Sequence, residues 1–312
     1  MNPGYRTLLD AEVWRFIERI NAFYPPDALD LPIERNREIY RRMSAAFHAG
    51  RPAGITAQDS FIDASDRRIP IRTYRSIGNE ASALVLYFHG GGFVLGDLDT
   101  HDDICAELCA GTGHVVISVD YRLAPEHAGT AAFDDAMAAF AWAATAYTLP
   151  VVLVGESAGG TLAASVAHHT RGHARSPAGQ VLVYPSLGGD KTRGSYVDHR
   201  DAPLLSVTDL ERYEAMRAGG ADISRDVRFT PLADPDFTGL PPTVIFTAEC
   251  DPLCCDGATY RDRLTAAGGL AWSHEEKGLP HGFLRARHMS VKARESFKRL
   301  TAAVKALGSD GL

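Results

Sequence analysis

Hydrophobic positions change their period along the chain. Before residue 55 they recur at helical spacing: Leu8, Leu9, Val13, Phe16, Ile17, Ile20 and Phe23 share one stripe, broken by Pro25 and Pro26. Residues 33–47 form a second amphipathic stretch, ended by Gly50 and Pro52. Two helices are therefore predicted ahead of any strand. From Ile55 the period shortens, and Phe61, Ile69, Ile71 and Tyr74 alternate with polar neighbours as in an antiparallel edge hairpin. Unbroken apolar runs follow at 84–88, 115–119, 151–154, 181–184 and 243–247, the pattern of strands buried on both faces. Helical stretches at 102–110, 131–146, 158–169 and 257–267 alternate with them, which predicts an α/β chain with a mostly parallel sheet.

Between residues 186 and 240 this rhythm is lost, apart from one helical candidate at 207–218. A structureless loop of that length is out of place in a compact domain, so the segment reads as an inserted functional element that forms a lid with the N-terminal helices. The expected division is residues 1–54 as a first cap segment, 55–312 as the catalytic domain, and 186–240 inserted into it as a second cap segment. Composition adds only boundaries. With 312 residues, 45% of them hydrophobic, the chain can bury a full core without a metal or disulfide staple. A net charge of -7 with no block of like charge argues against nucleic acid as a partner. No apolar run approaches the length of a membrane span, and a cytoplasmic setting is expected. The five cysteines lack paired CxxC spacing and read as reduced thiols. No cofactor or metal is expected, and a homodimer is compatible with the sequence.

The chemistry concentrates at strand ends. Residues 151–162 run from an apolar strand through Gly155-Glu156-Ser157-Ala158-Gly159 into an Ala-rich helix. Glycines on both sides permit a sharp strand-to-helix turn that exposes a serine hydroxyl over a helix N-terminus. Ser157 is the candidate nucleophile. An unaided hydroxyl is too weak, so a base and an orienting acid must follow in the order Ser, acid, His. Asp251, just past the apolar run 243–247, is the acid candidate. His281, in Gly-Leu-Pro-His-Gly-Phe, lies in a turn after a short strand at 271–275 and before a C-terminal helix. It is preferred as base over His274, which falls within that strand, and over His288, which reads as the start of the helix. Most remaining histidines, such as His168, His169 and His173, read as surface or helix-end groups. Finally, residues 88–93 (FHGGGF) end a strand in three glycines whose bare N–H groups, with that of Ala158, could meet a developing oxyanion.

Taken in order, HGGGF at 89–93, DYRLAPE at 120–126, GESAGG at 155–160, DPL at 251–253 and HGF at 281–283 resemble the hormone-sensitive lipase family of α/β-hydrolases. The resemblance spans residues 84–283. It implies a mostly parallel eight-stranded α/β-hydrolase sheet with a helical cap, and a triad of Ser157, Asp251 and His281. It further implies an oxyanion hole of Gly91, Gly92 and Ala158, and a short-chain carboxylesterase or acetyl esterase acting on a small-molecule ester. An amidase or lactonase would use the same triad. A non-catalytic receptor on this scaffold loses the base, whereas His281 is present.

Three positions depart from the family pattern. Glu156 replaces the common Asp, one methylene longer beside the nucleophile. Cys254-Cys255-Asp256-Gly257 replaces Arg-Asp-Glu-Gly, with Asp256 keeping a charge that suits a helix N-terminus. Gly129-Thr130 replaces Phe-Pro, which adds room if that loop lines the site. Inert thiols are expected at Cys250, Cys254 and Cys255. Because they flank Asp251, oxidation that displaces the acid is the alternative.

Overall fold

A computed structural model describes residues 4–25, 28 and 31–309, so Pro26, half of the predicted helix breaker, lies outside the described residues. The first helical stripe divides into α1 (Tyr5–Leu8) and α2 (Ala11–Asn21). The Asp10 carboxylate accepts the N–H groups of Glu12 and Val13 at 3.0 Å each, a side-chain cap that starts a new helix inside the stripe. The second stretch is α3 (Ile33–Phe47).

Strands β1 (Ile55–Asp63) and β2 (Arg68–Ser76) form the expected antiparallel pair. Phe61, however, is 49% exposed, with the Arg68 guanidinium 4.0 Å above its ring, while Ile62 takes the buried place opposite Ile69. Along β2, Ile71 enters one core and Tyr74 the other, because this strand is covered on both faces. The expected alternation therefore fails at Phe61 and Tyr74.

The apolar runs become β3 (Leu84–Phe88), β4 (Val115–Val119), β5 (Val151–Glu156), β6 (Gly179–Val183) and β7 (Thr243–Cys250), followed by β8 (Ala271–Pro280). They form one eight-stranded sheet in the order β1-β2-β4-β3-β5-β6-β7-β8, parallel from β4 onward. Helices α4 (Asp102–Thr112) and α10 (Val291–Leu307) pack on one face. Helices α5 (Ala131–Ala146), α6 (Ala158–Thr170) and α9 (Cys254–Ala266) pack on the other. Each strand feeds both cores: Val85 and Tyr87 enter the first, Leu84, Leu86 and Phe88 the second. The expectation of an α/β chain with a mostly parallel sheet holds.

The segment after β6 contains α7 (Ser195–Asp198) and α8 (Val207–Ala218). Its root is tied to α9 by Asp256, which is fully buried in the first turn of that helix. One carboxyl oxygen accepts the Leu187 N–H at 2.8 Å, the Gly189 N–H at 3.3 Å and the Tyr196 hydroxyl at 3.1 Å. Asp256 thus serves as an anchor for this segment, and the expected role as a helix-start charge gives way to these bonds. Burial pushes its carboxyl up from 3.8 to about 7, outweighing the amide bonds that favour ionisation. The folded chain therefore holds this proton over a range where the unfolded chain has released it. The group's contribution to stability is full below pH 3.8 and declines as pH rises towards 7. In Asp256→Asn that component disappears, so the fall in urea midpoint between about pH 5 and about pH 7.5 should be smaller than in the wild type. An identical fall in both proteins would exclude the assignment.

Candidate active site

Sheet register brings the candidate residues together. Phe88 pairs with Gly155, so the glycine loop after β3 leaves the sheet beside the turn after β5. An irregularity between Ala248 and Cys250 sets Cys250 opposite Pro280, so Asp251 and His281 emerge side by side from neighbouring strands. Glu249 pins this irregularity by accepting the Gly278 N–H at 2.6 Å. Strand β8 runs to Pro280 rather than ending near residue 275 as expected, and His281 follows it immediately.

Ser157 lies between β5 and α6 with φ 51° and ψ -119°, a conformation rare for a residue with a side chain. Its Oγ is 2.9 Å from His281 Nε2, and His281 Nδ1 is 2.6 Å from Asp251 Oδ2. Asp251 is fully buried, and its other oxygen accepts the Leu253 N–H at 2.9 Å, which fixes the carboxylate plane. The Tyr184 ring packs against the imidazole with centroids 4.7 Å apart. Gly91 and Gly92 adopt φ 123° and 62°. A Cβ at Gly92 would stand 2.6 Å from the Tyr213 ring of α8, so only glycine lets α8 rest on this loop. Among the described residues, the N–H groups of Gly91, Gly92 and Ala158 have no protein acceptor. Ser157, His281, Tyr184, Gly91, Gly92 and Ala158 border a cavity of about 900 Å³ whose wall includes Ile20, Tyr24, Tyr40 and Met43 from the N-terminal segment and Leu210 and Tyr213 from α8.

Residues 85–285 match the sequence pattern of a family described as having the alpha/beta hydrolase fold. The chain belongs to this α/β-hydrolase family, in its hormone-sensitive-lipase branch. It is 39% identical over 230 residues to the esterase LipI of Mycobacterium tuberculosis, covering 71% of this chain and 72% of that one. It is 33% identical over 247 residues to the ethyl acetate hydrolase of Pseudomonas putida, covering 76% and 78%. The hyperthermophilic esterase of the archaeon Pyrobaculum calidifontis superposes with a TM-score of 0.88 at 30% identity, covering 96% of this chain and 98% of that one.

In this α/β-hydrolase Glu156 turns away from Ser157 into the interior. It accepts the Tyr87 hydroxyl at 3.2 Å and the Tyr184 hydroxyl, and its Oε1 lies 2.6 Å from His101 Nε2. Arg285 extends the network, donating to the Thr100 carbonyl at 2.9 Å and to the Tyr40 hydroxyl of α3 at 3.0 Å. Burial alone would raise the Glu156 carboxyl, but His101 and Arg285 outweigh it and hold it well below its ordinary range. The network joins α3, the turn at Ser157 and the loop after His281. Its members outside Glu156 escape the sequence reading because they stand at 40, 87, 101, 184 and 285 with no shared spacing. Arg285, close behind HGF, offered a local signal.

Other expected placements change. His168 is buried, its Nδ1 2.8 Å from Asp234 and its Nε2 3.0 Å from the Tyr260 hydroxyl. Burial pulls it down to about 4, so it is a neutral core group and not a helix-end charge. His288 lies before α10 and contacts Glu107 at 2.8 Å rather than starting the helix. The Gly129 loop does not border the cavity; its N–H donates to the Arg217 carbonyl at 2.7 Å, closing on the end of α8. Burial pushes the Cys250 and Cys254 thiols up to about 12, which keeps them protonated and favours the inert reading. Among the described residues, no cluster of His, Cys, Asp or Glu could hold a metal ion, and no helix is long and apolar enough to cross a membrane.

Glu156→Gln leaves Arg285 and His101 facing a neutral amide. The variant is expected to lose about 3 kcal/mol of stability, the scale for removing one partner of a buried ion pair. Its kcat should fall more than its KM rises, because the turn carrying Ser157 is disturbed. Urea midpoint and kcat both equal to wild type would exclude this role.

Proposed function

We propose that the chain is a serine carboxylic-ester hydrolase that cleaves short-chain esters through an acyl-enzyme. The observation that carries this reading is the continuous hydrogen-bonded line from Ser157 Oγ through His281 to buried Asp251, beside three N–H groups without acceptors among the described residues. His281 Nε2 takes the Ser157 proton as Oγ attacks the ester carbonyl, and Asp251 steadies the imidazolium through Nδ1. The N–H groups of Gly91, Gly92 and Ala158 receive the oxyanion. His281 then protonates the departing alcohol, and water repeats the sequence on the acyl-enzyme to release the acid and regenerate Ser157.

Residues 1–54 and 186–240 act as the cap in this reading, since helices from both border the cavity over Ser157. A cavity of about 900 Å³ suits a small ester, and an ethyl acetate hydrolase among the relatives supports acyl chains of two to about six carbons. Five free cysteines support a reducing, cytoplasmic setting.

Ser157→Ala should reduce turnover of p-nitrophenyl butyrate by about 10⁴-fold or more, given how much catalysis depends on the nucleophile. Wild-type rate in a correctly folded variant would overturn the assignment. Across a series of p-nitrophenyl esters, kcat/KM should peak at or below six carbons, and an optimum at twelve would overturn the short-chain reading.

A further inference from the structure

Two buried arginines border the cavity, and the protein treats them differently. Arg285 lies in the network with Glu156 described above. Arg217, in the last turn of α8, has no carboxylate within ion-pairing distance among the described residues. Glu214 and Asp226 act on it only from a distance and are engaged elsewhere, with Lys191 and Arg228. Its Nη2 donates to the Arg228 carbonyl at 3.0 Å and its Nη1 to the Phe229 carbonyl at 3.4 Å. Nε is buried with no hydrogen-bond partner among the described residues. The guanidinium stacks over two aromatic rings, 3.5 Å from the centre of Phe93 and 4.5 Å from that of Phe229.

A buried cation without a counter-ion is costly, and ring stacking with two carbonyls compensates only in part. Burial pulls Arg217 down to about 9, so it still carries its charge at neutral pH. Among the described residues, the other carboxylates that border the cavity do not supply the missing partner: Asp209 is engaged in the α8 cap with Ser206, Asp190 with Thr192 and Asp222 with Ser224, and Glu211 forms no ion pair with Arg217. Phe93, which holds the guanidinium, directly follows the glycines beside Ser157. Arg217 itself borders the reaction cavity.

We propose that Arg217 is a specificity determinant that receives the carboxylate of an ester carrying one, so that preferred substrates are monoanionic. This rests on the esterase reading. This carboxylate takes no part in the chemistry: the acyl C–O bond breaks, water supplies hydroxyl to the acyl group and a proton to the alcohol, and the anion only fixes the pose. The planar fork of arginine suits a carboxylate, and a hydrogen bond to a charged partner in a desolvated wall is among the stronger kinds.

The test compares kcat/KM for anionic and neutral esters of matched shape. Monoethyl succinate against ethyl 4-methylpentanoate places the charge on the acyl side, and 4-acetoxybutanoate against 4-methylpentyl acetate places it on the alcohol side. In at least one pair the wild type should favour the anion by about ten- to a hundredfold, the range of a charge-assisted hydrogen bond. In Arg217→Met that ratio should collapse to about one or below, with Arg217→Lys intermediate. Independently of any variant, succinate should inhibit wild-type turnover of p-nitrophenyl acetate competitively and more strongly than 4-methylpentanamide, a neutral analogue. Hydrolysis of the neutral esters with no anion preference in either pair and no such inhibition would overturn the anion site while leaving the esterase reading intact. A preference unchanged in Arg217→Met would overturn it as well. No turnover of any ester would overturn the underlying reading instead.

Discussion

The left-handed backbone at Ser157 is the constraint on which the rest of the site depends. A residue with a side chain at φ 51° is strained by about 1–3 kcal/mol and persists only where its surroundings leave no alternative. Here the surroundings are backbone. A Cβ at Gly155 would come within 2.1 Å of the Gly159 carbonyl oxygen, and one at Gly159 within 1.9 Å of that of Phe88. The strand, the turn and the first turn of α6 are pressed together and against β3. The compression lifts the serine hydroxyl towards His281 and sets the helix N-terminus behind it, where negative charge is favoured.

The same turn sends Glu156 inward, and the interior has to accommodate a carboxylate. It does so with two tyrosine hydroxyls, His101 and Arg285, and through Arg285 it reaches Tyr40 on α3. A fully partnered network of this kind is specific because a half-satisfied one would be worse than none. One consequence is that a helix of the N-terminal segment is registered against the turn at Ser157 by hydrogen bonds as well as by apolar packing. Asp256 does comparable work for the segment after β6, where backbone amides and Tyr196 are its partners. Arg217 stands apart: stacked, buried and, among the described residues, without a carboxylate, at the border of the same cavity.

Much of this architecture is legible in the sequence, for physical reasons that differ by element. Strands buried on both faces must be apolar throughout, so β3, β4 and β5 announce themselves, and the turn at Ser157 requires small residues at fixed offsets. Where the reading failed, a local rule met a tertiary neighbour. Phe61 matched an alternation, yet Ile62 took the core position while Phe61 was covered by Arg68. His168 matched a helix end, but Asp234 and Tyr260 from distant segments enclose it. Asp256 matched a helix start, yet its carboxyl turned towards Leu187 and Gly189.

By itself, then, the sequence determined the alternation of buried strands and helices and the local turns that expose Ser157, His281 and three glycines, because these depend on side-chain period and on backbone freedom within a few residues. The tertiary structure decided which of those turns meet. The pairing of Cys250 with Pro280 across β7 and β8 sets Asp251 beside His281, and Phe88 beside Gly155 sets the glycine loop beside Ser157. It also decided the charge state and company of each polar group, since burial and partners from remote segments, invisible to local spacing, make His168 neutral, hold Glu156 ionised and leave Arg217 a buried cation that borders the cavity.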